Sequence, residues 1–114
     1  MAKHADPVDA VDVREAAPGR IEVRGALEYE TARHAHQQGM QLIANSEAPR
    51  LEVNCAHVSR CDSAALAVLI DWMARARVRG LRMCVVNLPE NLRAIARISE
   101  VDELLDQGVE CGSP

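Results

Sequence analysis

The chain has 114 residues and a net charge of −4, and its aromatic residues are limited to Trp72 and Tyr29, 2% of the total. This length fits a single domain. The scarcity of aromatic rings argues against a stacking platform for single-stranded nucleic acid, and the acidic balance argues against a protein that binds duplexes. We therefore expect no nucleic-acid partner.

The apolar runs are all shorter than the roughly 18–20 residues that a membrane-spanning helix needs. The first twelve residues are acidic and lack the apolar stretch of a signal peptide. We expect a cytoplasmic protein with one domain over residues 10–106, flanked by flexible tails at 1–9 and 107–114.

The first half of the chain predicts two paired strands, a helix and a further strand. Alternating apolar residues at Val11–Val13 and Ile21–Arg24, separated by a Pro-Gly turn, indicate a β-hairpin that Gly25 is expected to end. A helical period follows from about Tyr29 to Asn45. Leu51–Cys55 alternates again and predicts a central strand.

The second half opens with the strongest helix signal in the chain, over Ala64–Arg79. Ser63 is expected to act as its N-cap and Gly80 as the residue that ends it. A strand, a helix opened by Pro89 and a short final helix then follow, at Arg82–Val86, 89–98 and Val101–Leu105. Strands joined through a helix require a right-handed parallel crossover, so the order predicts an α/β domain with a small mixed sheet of four or five strands.

Motifs that would indicate catalysis are missing from the sequence. The six glycines are too scattered for a phosphate-binding loop, and no serine lies in a nucleophile elbow. Cys55, His57 and Cys61 could supply three metal ligands, but the spacing is unusual and no fourth ligand lies near them. Cys55 and Cys84 are better explained as small buried residues of strands. We expect no catalysis, no cofactor and no metal.

The long helix carries a broad apolar arc when it is projected at about 100° per residue. Val68 and Trp72 extend this arc around one shoulder, with Ala65 beside them. Two explanations remain open: the helix near 92–98 covers the shoulder, or the shoulder docks another protein. Tryptophan is enriched among interface anchors, which favours docking as much as burial.

The stretch from Leu51 to Ile70 resembles the signature of STAS domains, in which a strand and a loop lead to Asp-Ser-x-Gly-Leu at the start of a long helix. Here Asp62 and Ser63 stand in that motif, and Ala65 stands where most members have glycine. Gly25-Ala-Leu also resembles the family's Gly-x-Leu after the second strand. The resemblance implies a STAS fold, with helices packed mainly on one face of the sheet.

The C-terminal half, including Trp72–Gly80, Asn87–Ile98 and Val101–Leu105, is similar to the small STAS subunit of the ABC transporter that maintains outer-membrane lipid asymmetry. This similarity implies a non-catalytic subunit that binds the cytoplasmic ATPase and supports its assembly and activity. Such a subunit reaches the inner membrane only through its partner.

The chain is also similar to anti-sigma factor antagonists, a second group of STAS proteins. In that group an anti-sigma kinase phosphorylates the serine at the position of Ser63, which switches partner binding off. A phosphate on Ser63 would lie at the positive end of the helix dipole, whereas an unmodified Ser63 would simply cap the helix. The predicted partner-binding residues all belong to this helix and its cap: Asp62, Ser63, Ala65, Val68, Trp72 and Arg75.

Overall fold

The computed structural model describes residues 10–98. Its elements, in chain order, are β1 (Val11–Ala17), β2 (Arg20–Leu27), α1 (Tyr29–Asn45), β3 (Arg50–Cys61), α2 (Ser63–Val78), β4 (Arg82–Val86) and α3 (Glu90–Ile98). The sequence prediction is confirmed for α1 and β4, whose bounds agree with it. The predicted final helix and both predicted tails lie outside the described residues.

The four strands form one mixed sheet in the order β1-β2-β3-β4. Strands β1 and β2 are antiparallel, and β2, β3 and β4 run parallel to one another. This confirms the predicted hairpin and the parallel crossover through α2. Because each parallel strand is followed by a helix, the helix N-termini gather at the edge of the sheet where these strands end.

Aliphatic side chains that lie in register across the sheet form the core. Ile21 pairs with Val53, and Val53 pairs with Val85, and all three are almost fully buried. Full burial of one such side chain stabilises a fold by about 1.5–3 kcal/mol. A core of stacked aliphatic rows therefore replaces the aromatic residues that the composition lacks.

Gly25 bends β2 but does not end it, so the expected break is wrong. The residue has a φ of 90°, and a Cβ there would lie 2.0 Å from the carbonyl oxygen of Ala10. That oxygen accepts a hydrogen bond from the Ala26 amide at 3.0 Å. The pairing with β3 shifts register at this point and continues to Leu27 opposite Cys61, which is why β3 extends beyond the predicted Cys55.

Helices α1 and α2 pack side by side, and Trp72 lies between them. Its indole is fully buried and donates from Nε1 to the carbonyl oxygen of His36 at 3.2 Å. Val68 is only 5% exposed, and Ala65 is fully buried. Neither explanation that the sequence left open holds for Trp72 and Ala65, because α1, and not the helix near 92–98 or a partner, covers them.

Candidate functional site

One carboxylate joins the starts of α1 and α2. Asp62 Oδ1 accepts a hydrogen bond from the Ala64 amide at 2.9 Å, which makes Asp62 the N-cap of α2. Asp62 Oδ2 accepts from the amide of Tyr29, the first residue of α1, at 3.1 Å. The expected N-cap role of Ser63 is wrong, because α2 begins one residue earlier than its sequence pattern suggested and Ser63 is its first helical residue.

Ser63 is exposed at this edge of the sheet. Its position in the first turn of α2 places its hydroxyl where the helix dipole favours negative charge. The carboxylate of Asp62 already accepts from the Ala64 amide in this turn, however. A phosphoryl group on Ser63 would bring roughly two negative charges next to that carboxylate and would compete with it.

Further hydrogen bonds fix the loop that precedes α1. The Thr31 hydroxyl accepts from the Glu28 amide at 2.9 Å and donates to the Ala26 carbonyl oxygen at 2.7 Å. The carboxylate of Glu28 also pairs with the guanidinium of Arg60 near the end of β3, at 3.2 Å. The start of α1 is thus tied to both neighbouring strands.

The third helix is held to the same edge. Asn91 in the first turn of α3 donates from Nδ2 to the Cys61 carbonyl oxygen at 3.2 Å. A hollow of about 380 Å³ lies beside this contact, between the end of β3 and the start of α3. The N-termini of all three helices are therefore held by hydrogen bonds that cross between elements.

A groove of about 390 Å³ runs between α1 and α2, and its lining includes Ala64, the residue that follows Ser63. Small side chains line it, those of Ala32, Ala64 and Ala67, and Val68 forms part of its wall. Towards the C-terminal ends of the two helices, His36 Nε2 contacts Asp71 Oδ2 across it. The groove is an apolar recess that begins within the first turns of α1 and α2.

The predicted site residues do not share one surface. Asp62 and Ser63 lie at the edge of the sheet, Ala65 and Trp72 pack inside the domain, and Val68 reaches the surface only in the wall of the groove. Arg75 is exposed about three helical turns beyond Ser63. The residues that α1 contributes to the groove were missed, because no sequence pattern within one helix indicates which helix packs beside it.

Cys55, His57 and Cys61 do not converge. Within residues 10–98, no three histidine, cysteine, aspartate or glutamate side chains are arranged to hold a metal ion. Burial raises the pKa of Cys55 to about 12, while His57 lies on the opposite face of the strand, 3.9 Å from a Glu22 oxygen. Cys61 Sγ lies 3.3 Å from Asn91 Oδ1.

In the same described range, no helix is both long and apolar enough to cross a bilayer.

Comparison with solved structures shows which fold this is. The anti-sigma factor antagonist SpoIIAA in its unphosphorylated form matches with a TM-score of 0.60 and 13% identity, over 77% of this chain and 82% of that chain. The Bacillus cell fate determinant SpoIIAA in its phosphorylated form matches with a TM-score of 0.62 and 14% identity, over 82% and 86% of the two chains. Such low identity establishes a common fold and nothing further.

Comparison with curated proteins gives no match. The family model described as "Mlab, STAS domain" matches residues 11–106, which is most of the chain. That span contains every element of the sheet and the shared edge of the three helices. The chain therefore belongs to the STAS domain family.

Proposed function

We propose that this protein is a non-catalytic interaction subunit, which binds the cytoplasmic ATPase of a phospholipid-trafficking ABC transporter and supports its assembly and activity. The observation that carries the proposal is the exposed Ser63 beside Asp62, at an edge where three helix N-termini meet. The description of the matching family model and the similarity of residues 72–105 to such subunits support this choice of partner.

The edge suits docking because its parts are already held in place. Asp62 links α1 to α2, and the ion pair between Glu28 and Arg60 fixes the loop beside them. A surface that is ordered before binding loses little conformational entropy when a partner arrives. Of the remaining predicted contact residues, only Arg75 is exposed, and we propose it as a peripheral contact.

The proposal is tested by copurification of the tagged protein with the ATPase from detergent-solubilised membranes of the native cell. Ser63→Glu should reduce ATPase recovery about tenfold or more, since a negative charge buried against a partner without a counter-charge costs about 2 kcal/mol or more. Ser63→Ala should bind like the unmodified protein.

Ala74→Glu is the matched control, because it adds the same charge at an exposed position of α2 that lies three turns from Ser63. It should leave ATPase recovery unchanged. Equal recovery with Ser63→Glu would contradict the proposed surface, and failure of the unmodified protein to recover any ATPase would contradict the proposed function.

The fold similarity to SpoIIAA favours a second candidate, an anti-sigma factor antagonist that is switched by phosphorylation of Ser63. The exposed position of Ser63 is compatible with a kinase reaching it. Incubation with the anti-sigma kinase of the same cell should then add one phosphate to the unmodified protein and none to Ser63→Ala. An unchanged mass in the presence of an active kinase would remove this candidate.

A further inference from the structure

Two helices present matching stripes to the groove between them. Ala32, Arg33 and His36 of α1 line one side, and Tyr29, 81% exposed, continues the same stripe at the start of the helix. Ala64, Ala67, Val68 and Asp71 of α2 line the other side with the same spacing. Residues at positions i, i+3, i+4 and i+7 share one helix face. The groove is therefore two helical turns long, and it is apolar along its length.

The two ends of the groove differ. At the end far from the sheet edge, His36 and Asp71 contact each other across the groove and close it. At the other end the groove is lined by Ala32 and Ala64, which lie within one turn of the exposed Tyr29 and Ser63 at the starts of the two helices. An apolar side chain can thus enter from the surface that the proposed function assigns to the partner, and it stops against the His36–Asp71 pair.

Arg33, in the lining of the groove, has no ion-pair partner in the described part of the chain. His36 Nε2 contacts Asp71 Oδ2, and two backbone amides hold the carboxylate of Asp62. Arg33 is exposed and makes no ion pair with any residue between 10 and 98, including Glu30 one turn before it. A partner that is complementary to the groove and to Arg33 offers a carboxylate next to an apolar side chain.

We propose that the groove accepts an amphipathic helix of the partner protein, with an apolar side chain inserted between Ala32 and Ala67 and a carboxylate on Arg33. The proposal rests on the proposed function and names the recognition element for it. Helix-in-groove binding uses anchors of this kind, and tyrosine and arginine are enriched among the residues that dominate binding energy. A phosphate or lipid headgroup fits less well, because Asp62 already occupies the helix amides beside the groove.

The first test uses the copurified ATPase and two changes at exposed positions of the groove. Ala67→Trp fills the groove and Arg33→Glu reverses its unmatched charge, and each should lower ATPase binding about tenfold or more. Ala74→Trp and Arg77→Glu make the same changes at exposed positions of α2 outside the groove, and should leave binding within twofold. Circular dichroism melting confirms that each variant is folded. Equal binding by all four variants overturns the groove proposal and leaves the proposed function standing.

The second test needs no partner and separates the two proposals if the ATPase does not bind. Amide chemical shifts of the ¹⁵N-labelled protein are followed during titration with 4-phenylbutyrate, and in parallel with 4-phenylbutylamine. The anionic probe should shift the amides of Ala32, Arg33, Ala64 and Ala67, and the cationic probe should bind at least threefold more weakly. Arg33→Glu should reverse this order. Absence of shifts at the groove, or equal binding of the two probes, overturns the proposal.

Discussion

The indole of Trp72 lies against the backbone of Gly39, so that a Cβ at residue 39 would come within 2.1 Å of the indole Cε2 atom. The contact joins the middle of α1 to the middle of α2, and the hydrogen bond from Nε1 to His36 strengthens it. The single tryptophan therefore fixes the distance between the two helices that form the groove. Trp72 thus positions the groove, whose lining consists of residues smaller than tryptophan.

Gly39→Ala should destabilise the domain, although alanine is the better helix former by about 1 kcal/mol. Overpacking against Trp72 should outweigh this gain and lower the free energy of unfolding by about 1–3 kcal/mol. Urea denaturation measures the change, with Gln37→Ala at an exposed position of the same helix as the control. In a Trp72→Phe background the smaller ring leaves room, so the effect of Gly39→Ala should shrink. An equal effect in both backgrounds would contradict the proposed contact.

The main effect of Trp72→Ala should be on the stability of the fold and not on a contact with the partner. Removal of a fully buried indole leaves a cavity and lowers the free energy of unfolding by about 3–5 kcal/mol. Ile98→Ala, at a residue that is 83% exposed, should change it by about 0.5 kcal/mol or less. Thermal melting followed by circular dichroism compares the two. A Trp72→Ala protein with an unchanged melting temperature would restore the view of Trp72 as a surface residue.

The sequence predicted each element of the described fold because its local signals were consistent. Alternation indicated the hairpin, and the apolar period indicated α1 and α2. The contacts between elements were not predictable in the same way. The broad apolar arc of α2 required a covering helix or a partner, and only the three-dimensional fit of Trp72 against Gly39 decides that α1 is the cover.

The same limit explains the errors at the site. Asp62 and Ser63 are both good N-caps, and a sequence cannot show which of two adjacent residues adopts the extended cap conformation. The hydrogen bond from Tyr29 to Asp62 spans 33 residues and leaves no local pattern. Glycine weakens strands, so the sequence predicts that β2 ends at Gly25. In the structure Gly25 instead permits a close approach to the backbone of Ala10.

Asp62→Ala should destabilise the domain more than Ser63→Ala does. Loss of one N-cap lowers the free energy of unfolding by about 0.5–2 kcal/mol, and Asp62 also accepts from the start of α1. Ser63→Ala should change it by less than about 0.5 kcal/mol. Urea denaturation gives the energies, and hydrogen exchange should show faster exchange at the Tyr29 and Ala64 amides in Asp62→Ala alone. An effect of Ser63→Ala as large as that of Asp62→Ala would identify Ser63 as the cap.

The thiols of Cys55 and Cys61 should react slowly in the folded protein. Burial raises the pKa of Cys55 to about 12, and burial also raises the pKa of Cys61, with a smaller opposing effect from its hydrogen bond to Asn91. Because the thiolate is the nucleophile, iodoacetamide at pH 8 should modify both more slowly than it modifies a small free thiol. Half-buried Cys61 should react first, and Cys55 should react only when the domain unfolds.

Peptide mass spectrometry after timed alkylation measures these rates, with the urea-unfolded protein as the control in which the two thiols react alike.

The raised pKa of Cys55 also makes the stability of the domain depend on pH. The folded protein keeps the Cys55 proton that the unfolded chain releases near pH 9, so this contribution is complete below about pH 9 and is lost as the pH rises towards 12. The unmodified protein should therefore lose more stability than Cys55→Ala between pH 8 and pH 10.5. Rapid alkylation of Cys55 in the native protein, or equal losses for the two proteins, would contradict its burial.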